Sequence, residues 1–530
     1  LKKNHLLGKL FIVLLFLLYL PACQLTTTKN PEFLYLRLNT NPTNLDPALI
    51  VDVTGASIAA KIFNGLIKFD HQLNLQPDIA KKWTISSNGT IYTFFLRPGV
   101  RFSNGREITA HDFKYSFERV LAPRTRSPRA WVLDRIQGAR EYMRGEMNDV
   151  SGIQVKGNYR LEIQLEEPFG PFLSLLSLTT AYVVPREEVE RWGPDFSFHA
   201  VGSGPFILKE WRHGRELCLV ANPLYSPMPP GLKGIFYRII PEELTTMVEF
   251  EMENLDIIQI PSAEFRRYIN HPKWKPYIIP QEGLNTYYLG LNCQKPPFND
   301  VRVRQAIGLS IDRKKMLTTI FENRGLLAHS PIPPILRKSM PPLQDYYAYN
   351  PAKARELLRE AGYPEGFSFQ IIITALPETL DIVEVIQQYL QNVGIKISIT
   401  QLEWSSFKDM VSKGKADSFW LSWWADYPDA ENFLYPLFHS GNQGAGGNRT
   451  FYKNHKVDQL IENAQQASDK AARMRFYHEA EKIIIREAPM ILFWHKTDYF
   501  LYHPRVHNFM PCPLSTSEKG TDIVLFPTNS

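Results

Sequence analysis

Apolar and polar residues along this chain follow two rhythms, a period of two and a period near 3.6, which replace one another repeatedly. Tyr92-Thr93-Phe94-Phe95-Leu96 and residues 159–165 read as strands, the second by alternation of Leu161, Ile163 and Leu165 with Glu162 and Gln164. Asn104-Gly105 marks a tight turn between extended runs. Thr109-Ala110-His111-Asp112 then has the form of a helix start, with Phe113, Phe117 and Val120 along one face. Helical spacing becomes commoner after residue 290. Residues 351–361 place Ala354, Leu357, Leu358 and Ala361 on one stripe that Gly362 ends. Residues 382–392 repeat the pattern, and Ile395-Lys396-Ile397-Ser398-Ile399 then alternates as a strand. Residues 457–486 predict two helices broken near Ser468-Asp469. Helices and strands taking turns in this way predict an α/β fold.

Length changes that picture first. A chain of 530 residues, 44% hydrophobic, is too long for one core, so two or three domains are expected. The first residues stand apart. Lys2, Lys3 and Lys9 precede an apolar run from Leu10 to Leu20, which is short for a permanent bilayer span and predicts a signal peptide over residues 1–22. Leu20-Pro21-Ala22-Cys23 has the form of the lipobox of bacterial lipoproteins, which makes Cys23 the expected site of acylation and residues 23–30 a tether to the membrane. No later stretch of 18 or more apolar residues follows. Charge is nearly balanced, 60 Lys and Arg against 54 Asp and Glu, and gives no reason to expect nucleic acid as a partner. Cys218, Cys293 and Cys512 have no metal-site spacing, and one disulfide with a free thiol is compatible with them.

The ordered series of short segments carries a stronger signal. It starts at Leu38-Asn39-Thr40, Asn44-Leu45-Asp46-Pro47 and Ile62-Phe63-Asn64-Gly65-Leu66. Phe95-Leu96-Arg97-Pro98-Gly99-Val100, Gly202-Ser203-Gly204-Pro205-Phe206 and residues 297–306 with Ile311-Asp312-Arg313 follow. The series ends in the cluster from Trp420 to Pro428. In this order and spacing the chain resembles bacterial extracellular solute-binding proteins of family 5, the peptide and nickel class. The resemblance implies an α/β two-lobed clamshell of the periplasmic-binding-protein type (type II) with an additional inserted domain. By that analogy lobe one takes residues 31–64, 199–284 and 488–530, the inserted domain 65–198, and lobe two 285–487.

The same resemblance implies a receptor that captures short peptides and delivers them to the permease subunits of an ABC-type importer, held to the membrane by its N-terminal lipid. A peptide's constant features are its ammonium, its backbone and its carboxylate, and an enclosed ammonium requires a carboxylate partner. Asp426, in Trp423-Trp424-Ala425-Asp426-Tyr427-Pro428, stands where relatives anchor the ligand amine, with Trp423, Trp424 and Ala425 flanking the peptide main chain. From the residues alone, Asp426 reads rather as a cap where an aromatic core segment ends in a turn at Tyr427-Pro428. Trp404 matches a pocket aromatic and is otherwise a core Trp. Asp52, Val53 and Thr54 match a loop whose backbone pairs with the peptide, and Trp494 with His495 matches a pocket-facing strand. Asp429 and Glu431 are expected on the solvated surface. Two departures concern the ligand carboxylate: basic residues of the relatives are replaced by Trp420 and, near residue 379, by Thr379. Arg337, Lys338 and Arg129 are the cations that could compensate, and each reads more readily as a solvated surface cation.

Other classes fare worse on the residues present. Gly202-Ser203-Gly204 is not a Gly-x-Ser-x-Gly nucleophile elbow, there is no His-Glu-x-x-His zinc motif, and no phosphate-binding glycine loop appears. The chain is therefore expected to be neither an enzyme nor dependent on a cofactor. Within the fold, a nickel chelate, haem or a cell-wall-derived peptide is the alternative ligand.

Overall fold

The computed structural model describes residues 29–526 except Pro227; Cys23 and the expected signal peptide lie outside the described residues. The expected α/β architecture is present. Ten strands are paired in one continuous path, in the order Lys396–Leu402, Ser368–Thr374, Ser418–Trp424, Asn285–Leu291, Met490–Tyr502, Ile257–Gln259, Phe33–Leu38, Gly234–Ile239, Glu216–Ala221 and Phe206–Arg212. Ile278–Glu282 and Gly325–Leu327 pair additionally with Met490–Tyr502.

The strand Met490–Tyr502 holds this path together. Its first residues pair with Asn285–Leu291 and its last with Ile257–Gln259, so one segment of backbone runs through both halves of the sheet. In the first half the sheet is covered on both faces. Leu289, Ile371, Ile373, Trp420, Ile491 and Phe493 pack to one side with Val303, Ala306 and Ile307 of the helix Val301–Ser310. Tyr288, Ile372, Phe419 and Leu492 pack to the other with Ile461, Tyr477 and Ile484. This is why Ile371-Ile372-Ile373 is a continuous apolar run: a parallel strand with helices on both faces has no solvent side to alternate toward.

A separate four-stranded antiparallel sheet joins Ala80–Ile85, Ile91–Leu96, Arg160–Gln164 and Ile153–Val155. Tyr92 and Phe94 stand opposite Ile163 and Leu161 and are buried with Phe113 and Phe117 of the helix Ala110–Leu121. That helix begins as expected: the carboxylate of Asp112 accepts from the N–H of Thr109 at 2.8 Å in a capping box.

The expected elements of the second half are found, with one displaced start. The helix Pro377–Gln391 begins five residues before the periodic stretch, because Pro377 suits the first turn of a helix and the polar first turn adds no apolar period. The expected pair of helices is His455–Gln466 and Lys470–Glu487, the second capped by Asp469. Cys218, Cys293 and Cys512 are free thiols.

Candidate functional site

The strand Ser418–Trp424 lays Trp423 opposite Thr286 and Trp424 opposite Asn285, and the ladder continues one step further as Ala425 N–H donates to Leu284 O at 2.9 Å. The chain then leaves the sheet under restraint. Asn432 accepts from the backbone N–H of Asp426 at 2.9 Å through Oδ1 and from Trp423 Nε1 at 2.7 Å through its carbonyl. Tyr427 turns into the core of the antiparallel unit beside Phe94 and Phe113, and its hydroxyl donates to Glu431. Ala425 packs against Phe69, Leu284 and Leu514. With its neighbours fixed on both sides, Asp426 keeps a carboxylate that is 40% exposed.

That carboxylate faces a cation from a distant segment. Arg129 Nη1 lies 3.4 Å from Asp426 Oδ1, and Arg129 Nη2 donates to Val51 O at 3.3 Å. Exposed apolar side chains stand within two residues of these contacts: Val51, Val53, Trp131 and Trp424. Trp424 Nε1 reaches only its own strand, at Ser422 Oγ.

The other candidates are distributed differently. Asp52 is the N-cap of the helix Val53–Ile62, its carboxylate accepting from Gly55 N–H at 2.8 Å and from Thr43. Val53 and Thr54 form the first turn of that helix, so their N–H groups have no intrahelical partner while their carbonyls belong to the helix. Trp404 opens the helix Trp404–Ser412, 52% exposed and stacked on Phe407 with ring centroids 5.8 Å apart. Trp494 is 0% exposed, stacked at 4.6 Å on Phe321 and close to Trp420, so it lies inside the core. His495 beside it is also buried.

Two expectations need correction. Asp429 and Glu431 are buried, not solvated. Asp429 pairs with Arg473 at 3.0 Å, and Glu431 accepts from Gln465 at 2.8 Å, with burial pushing its carboxyl upward. Arg337 is not available to a ligand carboxylate: its guanidinium holds the fully buried Glu481, with Nε 3.1 Å from Oε1 and Nη2 3.2 Å from Oε2. Lys338 is exposed.

A cavity of about 720 Å³ adjoins the first turn of the helix Val53–Ile62. Val53 and Thr54 line it together with Gln259, Ser262, Arg324 and Lys496. Arg324 and Lys496 were not singled out by the sequence reading, although Lys496 breaks the apolar run of its strand. Burial acts to lower the pKa of the Lys496 ammonium, but Asp498 at 3.3 Å, Tyr287 and Glu378 together outweigh it, and the net shift is upward. Arg324 donates to Glu378 at 3.0 Å and to Ser262, and its buried Nε has no partner. Among the described residues, no group of three or more His, Cys, Asp or Glu side chains is arranged to hold a metal, and no helix is long and apolar enough to cross a membrane.

The sequence profile described as "Bacterial extracellular solute-binding proteins, family 5 Middle" matches residues 74–445. The chain is 27% identical over 508 residues to a heme-binding protein A of Haemophilus influenzae, covering 92% of this chain and 91% of that protein. It is 27% identical over 505 residues to a dipeptide-binding protein of Bacillus subtilis, with the same shares of 92% and 91%. Among solved structures, the Escherichia coli murein tripeptide binding protein superposes with a TM-score of 0.75 at 25% identity, over 93% of this chain and 98% of that one.

Proposed function

The chain belongs to the bacterial extracellular solute-binding proteins of family 5, non-enzymatic receptors of ABC importers that work outside the cytoplasm, and from that premise we propose that its solute is a short peptide held by its amino end at Asp426. The carrying observation is the half-exposed carboxylate of Asp426, which projects from a run fixed on both sides and already holds a cation. A ligand ammonium satisfies the same electrostatic demand. The exposed indole of Trp424 and the free first-turn N–H groups at Val53 and Thr54 suit the chain and backbone of the peptide that follows. The dipeptide- and murein-tripeptide-binding relatives support the same class of ligand.

In this reading the two lobes, 31–64 with 199–284 and 488–530 against 285–487, close on the peptide, with 65–198 as the inserted domain. Closure follows because a ligand touching both lobes binds the closed state better. The closed form docks on the permease, and acylated Cys23 keeps the receptor near it. The test is calorimetric titration with free and N-acetylated tripeptides. Asp426→Asn should weaken the free peptide by ~2 kcal/mol, roughly thirtyfold, and leave the acetylated one unaffected. Equal binding of free and acetylated peptide, or tight binding of haem or a nickel chelate with no peptide binding, overturns the reading.

A further inference from the structure

The helix Glu243–Glu251 buries one side and bares the other. Met247 and Phe250 face inward against Ile258, Trp274 and Leu501. Leu244, Val248 and Met252, spaced four residues apart, form a row along the outer side and are 64%, 54% and 66% exposed. Single exposed apolar residues are ordinary, but three in one helical row are a surface without a cover. The flanking carboxylates Glu249 and Glu251 are taken by Arg238 and Arg267, so they do not border the row as free charges. The helix packs on the sheet face opposite the helix Val53–Ile62: Ile258 joins its cluster, and Ile257 joins that of Ile58 and Ile62.

What covers the row is indicated by where the chain enters the fold. Lys29 Nζ donates to Glu253 O at 2.6 Å and meets Asp256 at 3.0 Å, which fixes Lys29 beside Met252, at the foot of the helix. Phe526, 54% exposed, adds an apolar side chain at the same edge. Its N–H donates to Arg505 O, and Arg505 in turn donates to Pro31 O at 2.9 Å. Cys23 lies six positions before Lys29, a span of at most about 20 Å at full extension.

We propose that this row lies on the lipid bilayer, as a second contact beside the acyl group of Cys23. This rests on the reading of Cys23 as acylated. A lipid on so short a tether brings the foot of the helix to the headgroup layer, where Leu244, Val248 and Met252 leave water. The tether supplies a high effective concentration, so a contact too weak to recruit the protein from solution suffices here. The second contact stops the receptor from turning freely about its tether. The first turn at Val53 and Thr54, on the other sheet face, stays off the membrane.

The experiment places the full acylated chain in phosphatidylcholine vesicles with an environment-sensitive dye on Val248→Cys, on Met252→Cys or, as control, on the exposed Ile85→Cys. Unsubstituted protein treated in parallel gives the background of the native thiols. At positions 248 and 252 the emission should shift to the blue and brighten roughly twofold or more, and lipids brominated on their acyl chains should quench it. At position 85 it should not change. Mass spectrometry and flotation of the unsubstituted protein are read first: a protein without lipid that does not float overturns the reading of Cys23 and this inference with it. A protein that floats with the dye unchanged at both helix positions overturns the inference and leaves the anchor standing. An equal shift at position 85 overturns the assignment to this face. A shift that needs the importer's permease subunits in the vesicle makes the occupant a protein and overturns the bilayer. Two helix positions are measured so that one misfolded variant does not decide the result.

Discussion

At the scale of single residues, burial divides side chains that the sequence presents alike. Trp404 and Trp494 both end or begin apolar stretches, yet one is 52% exposed and the other 0%. Trp494 lies in a strand covered on both faces, which has no polar phase to separate a core residue from a pocket residue, whereas Trp404 opens a helix. His495 shows what that burial entails. Its Nδ1 lies 2.8 Å from Asn285 O and 2.9 Å from Thr286 Oγ1, so it carries the proton of a neutral ring, and burial lowers its pKa to about 4. The carbonyl of Asn285 opposes that shift without cancelling it. The unfolded chain takes up a proton near pH 6.5 while the folded chain does not until about pH 4. The contribution of His495 is therefore complete above pH 6.5 and lost progressively as pH falls toward 4. Urea unfolding should show stability falling by about 2 kcal/mol from pH 7 to pH 5 on account of this residue. His495→Gln should flatten that part of the profile, and an unchanged profile would remove His495 from its cause.

At the scale of elements, the helix Val53–Ile62 is positioned by what lies against its end. Gly204 N–H donates to Ile62 O at 2.7 Å, and a Cβ on Gly204 would stand 2.4 Å from Lys61 O. The Gly202-Ser203-Gly204 run is thus explained by close passage of two backbones. Gly204→Ala should cost about 2–3 kcal/mol in chemical denaturation, since backbone atoms cannot step aside. Gly231→Ala, where the nearest atom to a new Cβ is 3.7 Å away, should cost less than about 0.5 kcal/mol. Most elements were legible from local rules: the cap at Thr109, the break at Asp469 and the alternation of 159–165 all depend on neighbours a few residues apart. Contacts that depend on chain return were not legible. Nothing near Asp429 in the sequence announces Arg473, and nothing near Arg337 announces Glu481. The pairing of Arg129 with Asp426 belongs to the same kind.

At the scale of the whole molecule, the strand Met490–Tyr502 gives the two halves of the sheet a common pivot, and a few polar contacts hold them together beside it. Arg324 is one of these. It lies just before Gly325–Leu327, donates to Glu378 on its own side, and reaches Ser262 near the strand Ile257–Gln259 of the other half. Arg266 and Glu322 pair close by at 2.6 Å, though Arg266 is largely exposed and screened. A receptor that closes on its ligand needs such contacts weak enough to open, and their sum sets the fraction of closed molecules before ligand arrives. Removing Arg324 withdraws its bond to Ser262 and leaves Glu378 facing solvent. Arg324→Ala should therefore enlarge the radius of gyration of the ligand-free protein in small-angle scattering. On the proposed closure around a peptide, apparent peptide affinity should fall by about 1 kcal/mol, roughly fivefold, because binding would then also have to close the lobes. Saturating peptide should return the radius to that of the unsubstituted complex. A radius that does not change without ligand would mean that the pivot strand alone sets the resting angle. A radius that stays large with ligand would mean that Arg324 shapes the closed form itself.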